Sequence, residues 1–528
     1  MKDVFKTLRQ DLPSSLVTFL VALPLCLGVG LASTSVESIN GLPNVFSGII
    51  AGIIGGVVVG FLSGSRIGVS GPAAGLITIL IAALTTLGSF EGLLVAIVLS
   101  GIIQVIAGFA GLGVLANYFP SSVIKGMLAA IGLTLILKEI PHALGYDKDF
   151  FGDDAFFQFD GHNTFSELLY ALNSLQTGSI IISLVSITIL LLFERPFFKK
   201  IALFKILPGA LFAVIIAILL NIFFQLFIPT IAVGEKHLVE LPVLKSISEI
   251  SSVLSYPDFS FLTNPNVYII ALTLAFVGSL ETLLSVDATD KLDPEKHHTP
   301  TNRELKAQGI GNIISGLIGG LPITQVIVRS SANINAGAKT KASTILHGLL
   351  LLVAVLFLPK IINLIPLACL AAILILVGYK LSKVQLYKQL YHNGYDQFIP
   401  FLATIAGILF TDLLRGIGIG MAFSILFILR KNYKNNYSIS EKEENHLKHI
   451  QIILSEEVTF LNKGRIIASL DALPNDSFVT IDGSHCESID FDVLEIIQEF
   501  KLVGAKERNI TLTTINIPEV ETLGDYKK

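Results

Sequence analysis

The stretch Gly319–Gly337, GGLPITQVIVRSSANINAG, decides how this chain folds. It opens on glycine and proline where a hydrophobic segment would otherwise continue as helix. It then carries Thr324, Gln325, Arg329, Ser330, Ser331, Asn333 and Asn335 into apolar surroundings. Unpaired backbone and a permanent cation are both costly in hydrocarbon, so the stretch is expected to face protein or a wet cavity. A similar interruption, Gly68–Gly75 (GVSGPAAG), stands near the start. Two Gly/Pro-broken segments in corresponding halves of a membrane protein point to a transporter's binding site. The half-helices that follow would each aim a positively polarised N-terminus at it, which favours an anion. The candidate anion ligands are therefore Ser70, Gly71, Pro72, Ala73 and Ala74 with Thr324, Gln325, Val326, Ile327 and Arg329.

Working outward, the chain has 528 residues, 52% hydrophobic and 15% charged, which is a polytopic membrane protein and no soluble globule. Nothing in it indicates nucleic acid as a partner; the bilayer is the first one. Cys26, Cys369 and Cys486 are far apart and lack any metal spacing, so neither disulfide nor zinc is expected. Lys2, Lys6 and Arg9 before an apolar run imitate a signal peptide, but the many later spans make this an uncleaved first helix.

Apolar segments fall near 14–32, 45–62, 72–86, 92–113, 121–138, 178–194, 205–228, 267–287, 308–318, 323–337, 343–358, 364–380, 397–411 and 416–430. The two breaks lie in the third and tenth of these. A repeat of seven segments must be inverted in the membrane, so the expected architecture is all-α, fourteen transmembrane segments as seven plus seven, with two half-helices. Repeat 1 covers about 10–230 and repeat 2 about 265–431. Lys and Arg collect at one set of loop positions, such as Arg66, Lys199, Lys291, Arg303, Lys341 and Lys388, which places both termini in the cytoplasm. The outside loop at Asp147–Asp160 reads as a surface cap. Residues 1–434 form the transport domain, 435–448 a polar linker and 449–528 a small α/β unit. In that unit Ile450–Leu454 and Val458–Phe460 suit a hairpin, Lys463–Leu470 a short helix, Phe478–Ile481 a strand, Phe491–Val503 an amphipathic helix and Ile510–Thr514 a strand.

Glu281 is the acid within the eighth segment. Gly278, Glu281, Thr282 and Ser285 are spaced to share one helix face, and a carboxylate at membrane depth is a functional candidate. Burial disfavours the charged form of a carboxylate, which suits coupling to a proton; a wetted carboxylate could hold a cation instead. A structural pair between Glu281 and Arg329 is the alternative. Gly48, Gly52, Gly56 and Gly60, and likewise Gly311, Ser315 and Gly319, form small-residue stripes that let helices approach. Pro24 marks a kink or a broken helix, His297 and His298 read as solvent-exposed, and His347 reads as a satisfied interior residue.

These pieces together resemble the SulP sulfate-permease family: DLPSSLVTFLVALPLCLGVGLA at the start, SGSRIGVSGPAAGLIT at the first break, Glu281, the Arg329-bearing segment, and a tail with FVTIDGSHCESIDFDVLEIIQEF that looks like a STAS domain. The resemblance implies an inverted repeat with core and gate domains, an anion site between the third and tenth half-helices, dimerisation, and residence in the inner (plasma) membrane. It implies secondary active transport of bicarbonate or sulfate and no enzyme activity. A nucleobase–proton symporter of the same fold, or an uncoupled anion channel or sensor, is the alternative. Within the family the chain looks most like the bacterial branch with sodium-dependent bicarbonate carriers, where Glu281 and Ser285 match two sodium-ligand positions. Gln325, Val326 and Ile327 stand where that branch has small residues and threonine, Leu25 where many members have glutamine, and Asp490, Phe491 and Asp492 where the tail's phosphorylatable loop would be. No cofactor is implied beyond sodium as a coupling ion, and a proton is favoured because Val326 and Ile327 can offer sodium only backbone carbonyls.

Overall fold

The first helix, α1 (Lys2–Ala32), runs through both Pro13 and Pro24, so of the kink and the broken helix expected at Pro24 the broken helix does not occur. The computed structural model describes residues 2–32, 46–148, 156, 163–195, 208–241, 254–434, 437–444 and 447–520. A helix lies on each of the fourteen apolar segments. In chain order they continue with α2 (Phe46–Ile54), strand β1 (Ser70–Pro72), α3 (Ile77–Leu87), α4 (Phe90–Phe109), α5 (Ser121–Leu144), α6 (Thr164–Asn173), α7 (Thr177–Glu194) and α8 (Gly209–Phe227). Then come α9 (Pro265–Leu292), α10 (Thr301–Leu317), strand β2 (Ile323–Gln325), α11 (Ile327–Asn335), α12 (Lys341–Phe357), α13 (Leu367–Leu381), α14 (Val384–His392), α15 (Tyr395–Phe410) and α16 (Leu413–Lys434). Among the described residues, seven helices are long and apolar enough to cross a membrane, and three more are apolar but shorter. Large exposed apolar side chains such as Ile106, Phe109, Leu226, Ile269 and Phe276 give α4, α8 and α9 a lipid-facing surface.

Small residues set the spacing. A Cβ on Gly48 would lie 2.0 Å from the Cys26 carbonyl oxygen, and one on Gly56 2.6 Å from the Gly348 Cα, so the glycine stripe presses α2 and its extension against α1 and α12. Gly101 and Gly309 bring α4 onto α10 in the same way, a Cβ on either falling 2.5 or 2.6 Å from the other's carbonyl oxygen. The second expected stripe is shorter than its spacing suggested. The helix stops at Leu317, and Gly319 lies in the following turn at φ +87°, where a side chain would be strained.

The chain forms two compact units, Met1–Met421 and Ala422–Lys528. The second contains a four-stranded sheet in the order β3 (Tyr437–Glu444), β4 (Leu447–Leu454), β6 (Phe478–Asp482), β8 (Thr511–Ile515). A two-residue pair, β5 (Glu457–Val458) with β7 (Ser488–Ile489), stands apart from it, and helices α17 (Lys463–Asp471) and α18 (Phe491–Glu499) complete the unit. Ile450, Ile452, Val479, Ile481, Val493 and Ile497 make its core. Two expectations fail here. Residues 437–444 are not linker but an antiparallel edge strand, and β4 therefore pairs with β3, not with residues 458–460. Glu441, Lys442, Glu443 and Glu444 hide that strand in the sequence, because an edge strand keeps charges to block further pairing.

Candidate functional site

The two broken segments meet as a pair of three-residue strands. Ser70 lies opposite Gln325, Gly71 opposite Thr324 and Pro72 opposite Ile323, antiparallel. Because the chains run in opposite senses, the helix after each strand leaves from the opposite end of the pair. One begins as a 3-10 turn at Ala74–Leu76 leading into α3, the other as α11. Their first-turn amides, which have no acceptor within their own helix, therefore flank the crossing.

Side chains from three helices hold this backbone in place. On α10, Asn312 Oδ1 accepts from Ile323 N (2.6 Å) while its Nδ2 donates to Ile323 O (3.0 Å), and Ser315 Oγ donates to Leu321 O (2.7 Å). On α11, Ser330 Oγ accepts from Val69 N and Asn333 Nδ2 donates to Ile67 O. On α12, Thr344 Oγ1 donates to Gly68 O. Buried non-helical backbone must be paired in this way. Beside it, α2 passes into a π-helical turn at Gly55–Val59, where a Cβ on Gly55 would lie 2.3 Å from the Ser70 carbonyl oxygen.

Arg329 is the third residue of α11 and is 1% exposed. Its Nη2 donates to Pro72 O (3.3 Å), and a Cβ on Gly71 would lie 2.0 Å from its Nη1, so the guanidinium takes the space that a side chain at Gly71 would fill. The Cys26 thiol, a weak acceptor, faces the same guanidinium. Nε and Nη1 have no hydrogen-bond partner among the described residues. Thr324 Oγ1 is likewise buried without a partner. Among the described residues no ion pair joins Glu281 to Arg329, so the structural pairing considered from the sequence is not formed here.

On α9 the predicted polar face does reach the crossing. A Cβ on Gly75 would lie 3.3 Å from Glu281 Oε1, and Thr282 Oγ1 accepts from Gln325 N (3.3 Å). Ser285 is buried one turn on. Two of the amides expected to hold the anion are already engaged, Gln325 N by Thr282 and Val326 N by Val69 O (2.9 Å). Ala73 is buried at the head of the 3-10 turn and Ala74 opens that turn; Ile327 is the first residue of α11.

His347 is not the satisfied interior residue expected: it is fully buried, and neither ring nitrogen has a hydrogen-bond partner among the described residues. His297 is half-buried with Nδ1 2.8 Å from Asp293 Oδ2. Most of the predicted surface cap, 149–155 and 157–160, lies outside the described residues. The side chain of Asp147 at its start is 4% exposed, with Oδ1 2.6 Å from His142 Nδ1 and Oδ2 2.5 Å from His237 Nδ1. The sequence reading also missed Glu304, Gln308 and Asn312. Their i, i+4, i+8 spacing, which puts three polar side chains on one helix face, was the available signal.

Residues 8–404 match the sulfate permease family. The chain belongs to that family. It is a multi-pass membrane transporter of anions, and its family is one of transporters, not enzymes. Among relatives, the Bacillus subtilis (strain 168) protein YvdB is 28% identical over 430 residues, covering 80% of this chain and 74% of that one. The bicarbonate transporter BicA of Picosynechococcus sp. is 26% identical over 428 residues, covering 79% of this chain and 69% of BicA. A bovine sodium-independent sulfate anion transporter is 23% identical, covering 80% and 72%. Two solved structures share the fold. The transmembrane domain of a cyanobacterial BicA superposes with TM-score 0.52 at 22% identity, covering 80% of this chain and 98% of that one. Murine Solute Carrier 26 family member A9, in the inward-facing state, gives 0.66 at 16% identity, covering 98% and 86%.

Proposed function

We propose that this sulfate-permease member moves an inorganic oxyanion, bicarbonate or sulfate, across the plasma membrane by secondary active transport, with the anion at the crossing of the two broken segments. The observation that carries the reading is the guanidinium of Arg329, buried beside the crossing with no hydrogen-bond acceptor for Nε and Nη1 among the described residues. A buried cation of this kind is costly unless something accepts from it, and a planar oxyanion matches its fork. The first-turn amides of Ile327, Val328 and Arg329 add donors of the same sign. The site residues are then Ser70, Ala73, Ala74 and Gly75 with Ile327–Arg329, while Gly71, Pro72, Thr324, Gln325 and Val326 build the strand pair behind them. Bicarbonate and sulfate are both named among the relatives, YvdB being a putative sulfate transporter and BicA a bicarbonate transporter; bicarbonate is our slight preference, on the motif resemblance to the bicarbonate-carrier branch alone.

Glu281 is the coupling residue, with Thr282 and Ser285 on its helix face. A proton fits better than sodium. The Val326 carbonyl already accepts from both Ser330 N (3.0 Å) and Ser330 Oγ (2.8 Å), and Thr282 Oγ1 is held by the Gln325 amide. Fewer oxygens remain to shell a cation. The fourteen segments form a seven-plus-seven inverted repeat with both termini cytoplasmic, the protein is a homodimer, and the tail is a STAS-like regulatory or assembly module.

The test is Arg329→Ala in the full-length protein, titrated with sulfate and with bicarbonate. Affinity is expected to fall by about tenfold or more, the scale of a hydrogen bond to a charged group. Unchanged affinity in a variant that melts like wild type would remove the anion from this position.

A further inference from the structure

Gln308 lies at the centre of a short hydrogen-bonded line running from Glu304 to the first broken segment. The Glu304 side chain, fully buried in the first turn of α10, accepts from Ser63 Oγ (2.5 Å) and Gly64 N (3.2 Å) at Oε2 and from Gln308 Nε2 (2.9 Å) at Oε1. Gln308 Nε2 also donates to Ser70 Oγ (2.6 Å). A carboxylate only accepts, so the amide end that faces Glu304 must be the NH₂ group. Its two hydrogens then serve Glu304 and Ser70, while the Gln308 carbonyl is left with no partner among the described residues.

That orientation has a consequence one atom further on. A hydroxyl that accepts from an amide has its own proton to give elsewhere. Ser70 is 3% exposed, and among the described residues no acceptor receives its proton. We propose that Glu304 and Gln308 are positioning residues that fix the polarity of Ser70, so that its hydroxyl presents a donor at the first broken segment. They thereby help select an anion that can accept. This rests on the anion lying at the crossing, and it goes beyond that reading by assigning a task to α10, which supplies none of the first-turn amides.

The experiment is a double-mutant cycle in the purified full-length protein, with sulfate and bicarbonate as probes and thermal melting read in parallel. Ser70→Ala and Gln308→Leu are expected to weaken anion affinity by about tenfold or less each, the scale of one hydrogen bond. In the Ser70→Ala background, Gln308→Leu should then cost no further affinity, although it still lowers the melting temperature. Gln308→Met keeps the length of the side chain but offers Ser70 no donor, so it should weaken binding about as much as Gln308→Leu while folding. Additive effects on affinity, or a Gln308→Met protein that binds like wild type, would overturn the relay. The Arg329→Ala titration separates the two failures. If Arg329→Ala weakens binding and the cycle is additive, the anion site stands and the relay falls; if Arg329→Ala has no effect, the site itself is misplaced.

Discussion

At the scale of single residues, Glu281 and Asp147 carry opposite kinds of consequence. Glu281 packs against Gly75 at the start of the first half-helix, so its charge is felt where the anion is proposed to sit. If it carries the coupling proton, Glu281→Gln should keep anion binding and lose concentrative uptake driven by a pH gradient in proteoliposomes. Uptake against a gradient in that variant would make Glu281 structural, and wild-type uptake that needs sodium and ignores pH would replace the proton. Asp147 is far simpler. Burial raises its carboxyl, but the hydrogen bonds from His142 and His237 outweigh that, and the group is held below its ordinary value. A depressed carboxyl stabilises the fold above its unfolded-state value, and that contribution disappears as pH falls through the lower folded-state value. Asp147→Asn is expected to cost about 2–3 kcal/mol near neutral pH, read as a lower melting temperature, because two charge-assisted bonds are weakened. The gap to wild type should close only in the acid range below the ordinary carboxylate value. A variant as stable as wild type at neutral pH would show that the clasp does nothing.

At the scale of elements, α10 is the strut on which the second broken segment hangs. Asn312 pairs both polar groups of Ile323, and its Nδ2 also donates to Gln104 Oε1 (2.7 Å). Asn312→Leu would leave the amide and carbonyl of Ile323 buried and unpaired, which costs about 2–5 kcal/mol for the two groups. A large fall in melting temperature with an accompanying loss of anion affinity is the expected result. If the melting temperature holds, the strand pair is maintained from elsewhere. Ser330, Asn333 and Thr344 hold the first broken segment in the same manner from α11 and α12. The half-helices are thus short because their backbones pass to side-chain partners, and those partners sit on neighbouring helices.

At the scale of the whole molecule, the second compact unit has its own sheet and its own apolar core. Truncation after Asn435 removes all four strands of that sheet together, leaving no half-sheet with an open edge. The truncated protein should insert in the membrane and bind anion, with altered assembly by light scattering or an altered flux rate. Complete loss of binding in a stable truncate would tie the tail to the anion site itself.

The sequence by itself determined the membrane class, the position of the two breaks, the helix on every apolar run and the residue types at the crossing. These follow from local chemistry: glycine and proline stop a helix wherever they stand, and a long apolar run must become one in lipid. Even the positions of β6, α17 and β8 in the tail were readable from alternation and period. What the tertiary structure decided is who partners whom. Asp147 looked like the start of a surface loop until the fold brought His237 to it from 90 residues away. The strand at 437–444 looked like linker because its second half is all charge, Glu441–Glu444, and the partner strand β4 that makes it a strand comes beside it only in the fold. The amides of Gln325 and Val326 looked free until Thr282 and Val69 arrived, which moved the proposed donors two residues along, into the first turn of α11. Hydrogen bonds reach about 3 Å and join groups remote in sequence, so their pairing is a property of the packed chain, whereas period and propensity are properties of neighbours along it.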